Sequence, residues 1–277
     1  MGMRITTNVA SLNAQRSMVT NSREMNKSMS QLSTGSRITK AGDDAAGLAI
    51  SENLKAQIRS YSQASRNAND GISMIQTAEQ GMGEISNIIT RVRELGIQAG
   101  SDTIGEQERG FIQKEVDALK SEVQRVAEST TFGSRKLLDG TGGVYDIHIG
   151  VGANESTDWI AYDASVSDVT TSNLGIEDID FSTKDGARAG LASLDEAQKN
   201  VNGSRATLGA LQNRLSSTVD VIGTMNENMS AANSRIRDTD IALSSSELAR
   251  NNVLLQATTS TLAQANQLPQ MALKLIG

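Results

Sequence analysis

The chain contains no cysteine, a single histidine, a single proline and 3% aromatic residues in 277. Without cysteine there is no disulfide, no thiolate metal site and no thiol nucleophile. One histidine, His148, excludes a multi-histidine metal centre and the HExxH zinc motif. The only proline, Pro269, stands close to the C-terminal end, so almost nothing interrupts helices before it. Scarce aromatics argue against a large globular core, which normally draws much of its buried area from them. No apolar run of about 18 residues is present, so no membrane span or membrane insertion is expected. The opening stretch lacks an apolar segment of signal-peptide length. Composition alone would suggest the cytoplasm, but it excludes only the signal-peptide route out. The net charge of −6, with both signs interspersed, argues against nucleic-acid binding and for a solvated surface.

What the chain does have is apolar residues at helical spacing. Ile5, Val9, Leu12 and Val19, then Met25, Met29 and Leu32, form a stripe of moderate strength. A Ser/Thr/Gly loop leads to Gly42, followed by Asp43 and Asp44 and an Ala-rich run. The two aspartates stand where an N-cap and a first-turn acid belong. From there to about Gly100, Ile75, Met82, Ile85, Ile89 and Val92 step by threes and fours, with Gly96 as a gap in the seam. Such a rod would be on the order of 80 Å long and needs a second rod to cover it. Glu106–Ser129 predicts a shorter helix with Phe111, Ile112, Val116, Leu119, Val123 and Val126 on one face. The partner rod is predicted over 186–236, carried by Leu208, Leu211, Leu215 and Ile222. After a break at Asp238–Asp240, Ile241–Ile276 predicts a last helix that includes Leu255 and Leu262.

Between the rods the pattern changes. Val144–Ile149 alternates in period two, with Tyr145, Ile147, Ile149 and Val151 on one side, and Trp159–Tyr162 follows a turn-like segment. The expected fold is therefore mainly α: long antiparallel coiled-coil-like rods with a small β-hairpin at about 144–165. The stretch 166–185 is expected to be a short surface segment. The expected domains are a terminal domain made of 1–42 and 238–277, and a rod domain spanning 43–237.

No enzyme signature stands out, and no cofactor or metal is expected. The G-x-G runs at Gly81, Gly140 and Gly150 lack the third glycine of a dinucleotide loop, and no Walker-type motif occurs. Paired acids at Asp43/Asp44, Asp178/Asp180 and Asp238/Asp240 are explained more simply as caps and solvated loops than as catalytic pairs. His148 is expected to be a surface or packing residue.

Four segments carry a family resemblance: Arg4–Val9 with Ser11–Gln15, Leu32–Ile50, Leu208–Leu215, and Ala231–Asp240. Together they resemble the bacterial flagellins. The resemblance implies a structural subunit that polymerises into the flagellar filament. It also implies an N-terminal export signal, passage through the flagellar type III export apparatus, and assembly beneath a cap among hook-associated proteins. The terminal helices (Ile5, Val9, Leu12, Leu255, Leu262) would drive polymerisation, and a secretion chaperone would hold the last helix. Ile89–Leu95 resembles the segment sensed by the host Toll-like receptor for flagellin, with Arg91, Leu95 and Glu115 as candidate contacts. Thr90 and Gly96 depart from that pattern, which has glutamine and alanine there. The short middle implies a flagellin without large outer domains, with Ser165, Ser167 and Thr170–Ser172 near the outer surface. The alternative is a flagellin-like hook–filament junction protein.

Overall fold

A computed structural model describes residues 7–276, with side chains described over 7–267. Helix α1 (Val9–Thr34) starts at Asn8, whose Oδ1 accepts from the Ser11 N–H at 3.1 Å. It ends at Gly35, whose φ of 68° is a left-handed turn that glycine adopts at little cost. Helix α2 (Ala45–Ala99) starts at Asp44, whose carboxylate accepts from the Gly47 N–H at 2.8 Å. The cap is thus the second aspartate alone. Asp43 instead closes the preceding loop, accepting from the N–H groups of Thr39 and Lys40 and from the Thr39 hydroxyl. Helix α3 (Glu106–Ser129) is followed by strands β1 (Thr131–Phe132), β2 (Arg135–Lys136) and β3 (Val144–His148). Then come a single helical turn α4 (Glu155–Asp158), strand β4 (Trp159–Asp163) and helices α5 (Lys184–Arg237) and α6 (Ile241–Ile276). Asp240 caps α6 by accepting from the N–H groups of Ala242 and Leu243.

The chain divides into two compact units. Unit 1 is Met1–Gln57 with Asn228–Gly277, and unit 2 is Ile58–Glu227. The divisions fall inside α2 and α5 rather than at the breaks before α2 and after α5.

In unit 2, α2 and α5 run antiparallel. Ser62 pairs with Asn226, Glu79 with Arg205, Ser86 with Gln198 and Arg93 with Asp195, at 2.7–3.2 Å. Between these pairs the core is aliphatic: Ile75, Met82, Ile85, Ile89 and Val92 from α2 and Leu208, Leu215 and Ile222 from α5 are buried, and Leu211 packs half-buried against them. Full burial of such a side chain is worth about 1.5–3 kcal/mol. Helix α3 returns beside α2. There the buried Arg109 donates to the carbonyls of Ala99 and Ser101, satisfying acceptors left open where α2 ends. Phe111, expected on the packed face of α3, is instead 65% exposed, with the Lys114 ammonium 5.9 Å from its ring centroid.

Strands β3 and β4 form an antiparallel hairpin with Tyr145 opposite Tyr162 and His148 opposite Trp159. Ile147 and Ile149 are buried, but Val151 lies beyond the strand and is exposed. The stretch 166–185, expected at the surface, is largely a buried strap. Val169, Leu174, Ile176, Ile179 and Phe181 all enter the core. Three side chains of α3 hold its backbone: Gln113 accepts from the Phe181 N–H, Lys120 donates to the carbonyls of Glu177 and Ile179, and Gln124 accepts from Thr171. The Phe181 ring fills the gap left by Gly96, where an added Cβ would stand 2.9 Å from it.

In unit 1, α1 packs along α6. The two inter-helix breaks also pair with each other. The Arg37 N–H donates to the Arg237 carbonyl at 2.6 Å and the Thr239 N–H to the Gly35 carbonyl at 2.9 Å, with Ser36 and Asp238 forming an isolated antiparallel bridge.

Candidate functional site: an assembly surface

Unit 1 is built the wrong way round for a free-standing helix pair. The residues α1 turns inward include Ser11, Ala14, Ser28 and Gln31, and α6 contributes Ser244 and Ala265. The contacts are correspondingly polar: Ser11 Oγ donates to Asn266 Oδ1 at 2.9 Å and Asn8 Nδ2 to the Ala265 carbonyl at 2.8 Å. Each such bond nets only about 0.5–1.5 kcal/mol. The apolar stripe points away. Val9, Leu12 and Val19 are 59%, 53% and 58% exposed. At 100° per residue they fall within about 80° of arc, roughly opposite Ser11 and Ala14. On α6, Ile241, Leu243 and Val253 are exposed in the same way, whereas Leu255 and Leu262 are half-buried. Ile5, the first residue of the expected stripe, lies outside the described residues. Arg16 interrupts the stripe between Leu12 and Val19, but an apolar face left uncovered on a paired helix is a candidate surface for association.

The three candidate receptor contacts separate in the structure. Arg91 and Glu115 are exposed and joined by an ion pair at 3.0 Å, with Glu94 on the same guanidinium also at 3.0 Å. The hydrogen bonds Arg91 donates, to Glu94 first and then to Glu115, raise its pKa. Leu95 is 3% exposed and belongs to the core, so it does not share a surface with the other two. Leu95 is offset from Arg91 by only about 40° around the helix, which here is enough to pass from the exposed edge to the packed face.

The Gly150–Gly152 run, Asp180 and His148 all have structural roles. The glycines of Gly150-Val151-Gly152 make room for the Asp158 carboxylate, since a Cβ at Gly150 would stand 1.9 Å from it. That carboxylate accepts from the Asn154 N–H at 3.0 Å. Asp180 accepts from the Ser182 N–H at 2.8 Å. His148 stacks on Trp159, with ring centroids 4.2 Å apart and planes within 4°, and its Nε2 meets the Gly152 carbonyl at 3.0 Å. Among the described residues, no group of three or more His, Asp or Glu side chains is placed to hold a metal ion, and no helix is long and apolar enough to cross a membrane.

A helical protein with a self-sufficient core in one unit and an outward apolar stripe on its paired terminal helices belongs to the class of self-assembling structural subunits. Comparison with known proteins identifies the family. The profile of the bacterial flagellin N-terminal helical region matches residues 5–142, and that of the bacterial flagellin C-terminal helical region matches 191–276. The chain is 43% identical over 274 residues to a flagellin of Halalkalibacterium halodurans, covering 99% of this chain and all of that one. It is 38% identical over 291 residues to the flagellar filament 33 kDa core protein of Treponema phagedenis, with the same coverage. The crystal structure of Bacillus cereus flagellin superposes with a TM-score of 0.52 at 29% identity, over 61% of this chain and 94% of that one. The chain belongs to the bacterial flagellins.

Proposed function

We propose that this flagellin is a structural subunit of the extracellular flagellar filament, where its copies join through the exposed faces of α1 and α6. The observation that carries the reading is the makeup of unit 1: the buried positions between its helices are Ser11, Ala14, Ser28, Gln31, Ser244 and Ala265, while Val9, Leu12, Val19, Leu243 and Val253 are exposed. Burying one such valine or leucine against a neighbour gains about 1.5–3 kcal/mol, repeated at every subunit of a polymer. The protein has a mechanical rather than a catalytic role. It leaves the cell through the flagellar type III export apparatus. A secretion chaperone covers α6 beforehand, and cap and hook-associated proteins bound the growing filament. Receptor sensing, if a host Toll-like receptor meets this chain, rests on the exposed Arg91–Glu115 pair rather than on Leu95.

The test is seeded polymerisation of the full chain, followed by electron microscopy, beside a full-length variant carrying Val9→Ser, Leu12→Ser and Val19→Ser. Filaments from the unaltered chain and none from the variant, with equal helix content in solution, support the reading. Equal filament yield from both would refute the role given to the α1 stripe.

A further inference from the structure

Unit 2, too, leaves apolar side chains at its surface, among them Ile97, Phe111, Val166, Val221 and Met225. Phe111 on α3 is 65% exposed. Separately, a groove of about 360 Å³ opens between the end of β4 and α5, floored by Tyr162 and Leu208 and flanked by Val166, Leu211 and Arg214. Val166 at its mouth is 64% exposed. The volume falls within the range that accepts a side-chain-sized apolar group.

The hydrogen-bonded pairs along α2 place these features on the rod. Arg205 on Glu79 and Asn226 on Ser62 put Leu208 and Leu211 level with Ile75 and its neighbours. Arg109 on the Ala99 carbonyl and Arg91 on Glu115 put Phe111 level with Ile97. At 1.5 Å per residue the two features are about 30 Å apart along the helix axis. They therefore cannot meet within one molecule.

Each feature carries one charge of each sign, Glu108 and Lys114 about Phe111 and Arg214 and Asp163 about the groove, so a pairing of opposite signs is available. Glu108 lies one helical turn before Phe111, and Arg214 stands beside the groove. Neither takes part in an ion pair among the described residues.

We propose that Phe111 of one copy seats in the β4–α5 groove of the next copy, with Glu108 facing Arg214, as a head-to-tail contact along the filament. Because donor and acceptor are different patches at different levels of the rod, the contact propagates instead of closing into a symmetric pair. The proposal rests on the filament reading and adds a second contact, in unit 2, to the one made by α1 and α6.

The absence of cysteine makes a clean test available. Phe111→Cys and Val166→Cys are made singly and together in the full chain, polymerised on seeds and oxidised. A disulfide needs Cα atoms within about 7 Å, so a link across some 30 Å of one molecule is excluded. Filaments of the double variant should give a ladder of covalent multimers, and mixed filaments of the two single variants should give dimers. Filaments of either single variant alone should remain monomeric on a denaturing gel. Filaments that form without these cross-links, or single variants that link as readily, would overturn the contact while leaving the filament reading intact. No filaments from the unaltered chain would overturn both.

Should the cysteine variants fail to polymerise, charge reversal decides. Arg214→Glu or Glu108→Lys alone should slow seeded elongation about tenfold, and the two together should restore it. Slowing that simply accumulates in the pair would overturn the proposal.

Discussion

The two units use the same helical vocabulary to opposite ends. In unit 2, α2 and α5 turn Ile75, Met82, Ile85, Leu208 and Leu215 toward each other, and the strap and hairpin close what remains. In unit 1 the residues buried between α1 and α6 are mostly serines and alanines, with Leu32, Leu255 and Leu262 half-buried, and Val9, Leu12, Val19, Leu243 and Val253 stay outside. An amphipathic helix shows which face will be covered but not by what. In unit 2 the cover comes from the same chain, and in unit 1 we propose that it comes from other copies. Mutations should therefore act on monomer stability in unit 2 and on assembly in unit 1.

The largest effect is expected from Ile85→Asp. Ile85 is fully buried in the hydrophobic core, so an aspartate there loses its hydration. The monomer should lose several kcal/mol and most of its cooperative urea transition. Leu211→Asp, at a half-buried site beside Arg214, should cost markedly less, which tests the inward orientation of α5 residue by residue. Next, Phe181→Ala should cost about 3–5 kcal/mol by urea unfolding, because it empties the slot beside Gly96. A loss below about 1 kcal/mol would return the strap to the surface role its sequence suggested. Smaller again is Gly96→Ala. The added Cβ, 2.9 Å from the Phe181 ring, should cost about 1–3 kcal/mol, part of it offset by up to about 1 kcal/mol of helix propensity. The same substitution at Gly203, where nothing lies within 4 Å of an added Cβ, should stabilise instead.

The smallest effect belongs to the loop of unit 1. The Thr39 hydroxyl first, then the Lys40 and Thr39 N–H groups, hold the Asp43 pKa below its ordinary value of 3.8. A depressed carboxylate contributes stability above its unfolded pKa and loses it as the pH falls through the folded one. The difference in melting temperature between the parent and Asp43→Asn should therefore be steady at neutral pH and vanish only below pH 3.8. A difference that already shrinks near pH 6 would contradict this hydrogen-bonding account.

How much of this could be read in the sequence follows from where the information lies. The rods were legible because spacing by threes and fours is local and a 3.6-residue helix must put those residues on one face. The hairpin was legible from period-two alternation, although Val151 continues the alternation after the strand has ended. The strap was not legible. Val169, Leu174, Ile176, Ile179 and Phe181 follow no single period, and what anchors their backbone is Gln113, Lys120 and Gln124, 47 to 68 residues earlier in the chain. Gly96 did signal a gap, but nothing local identified the ring that fills it. Arg109 was also missed, because a lone arginine among charged neighbours looks solvated until the end of α2 is seen to need donors. Leu95 shows the limit of carrying a surface over from relatives: Arg91 and Glu115 are exposed, but their neighbour belongs to the core.

The most direct test of the contrast is amide hydrogen exchange on the monomer and on the filament, read along α1, α2 and α6. Unit 2 amides of α2 from about Ile75 to Val92 should already be strongly protected in the monomer and change little on assembly. Amides of α1 and α6 should exchange quickly in the monomer and become protected only in the filament. If α1 and α6 are as protected in the monomer as α2, the helix pair is complete without neighbours, and the account of unit 1 as an unfinished core is wrong.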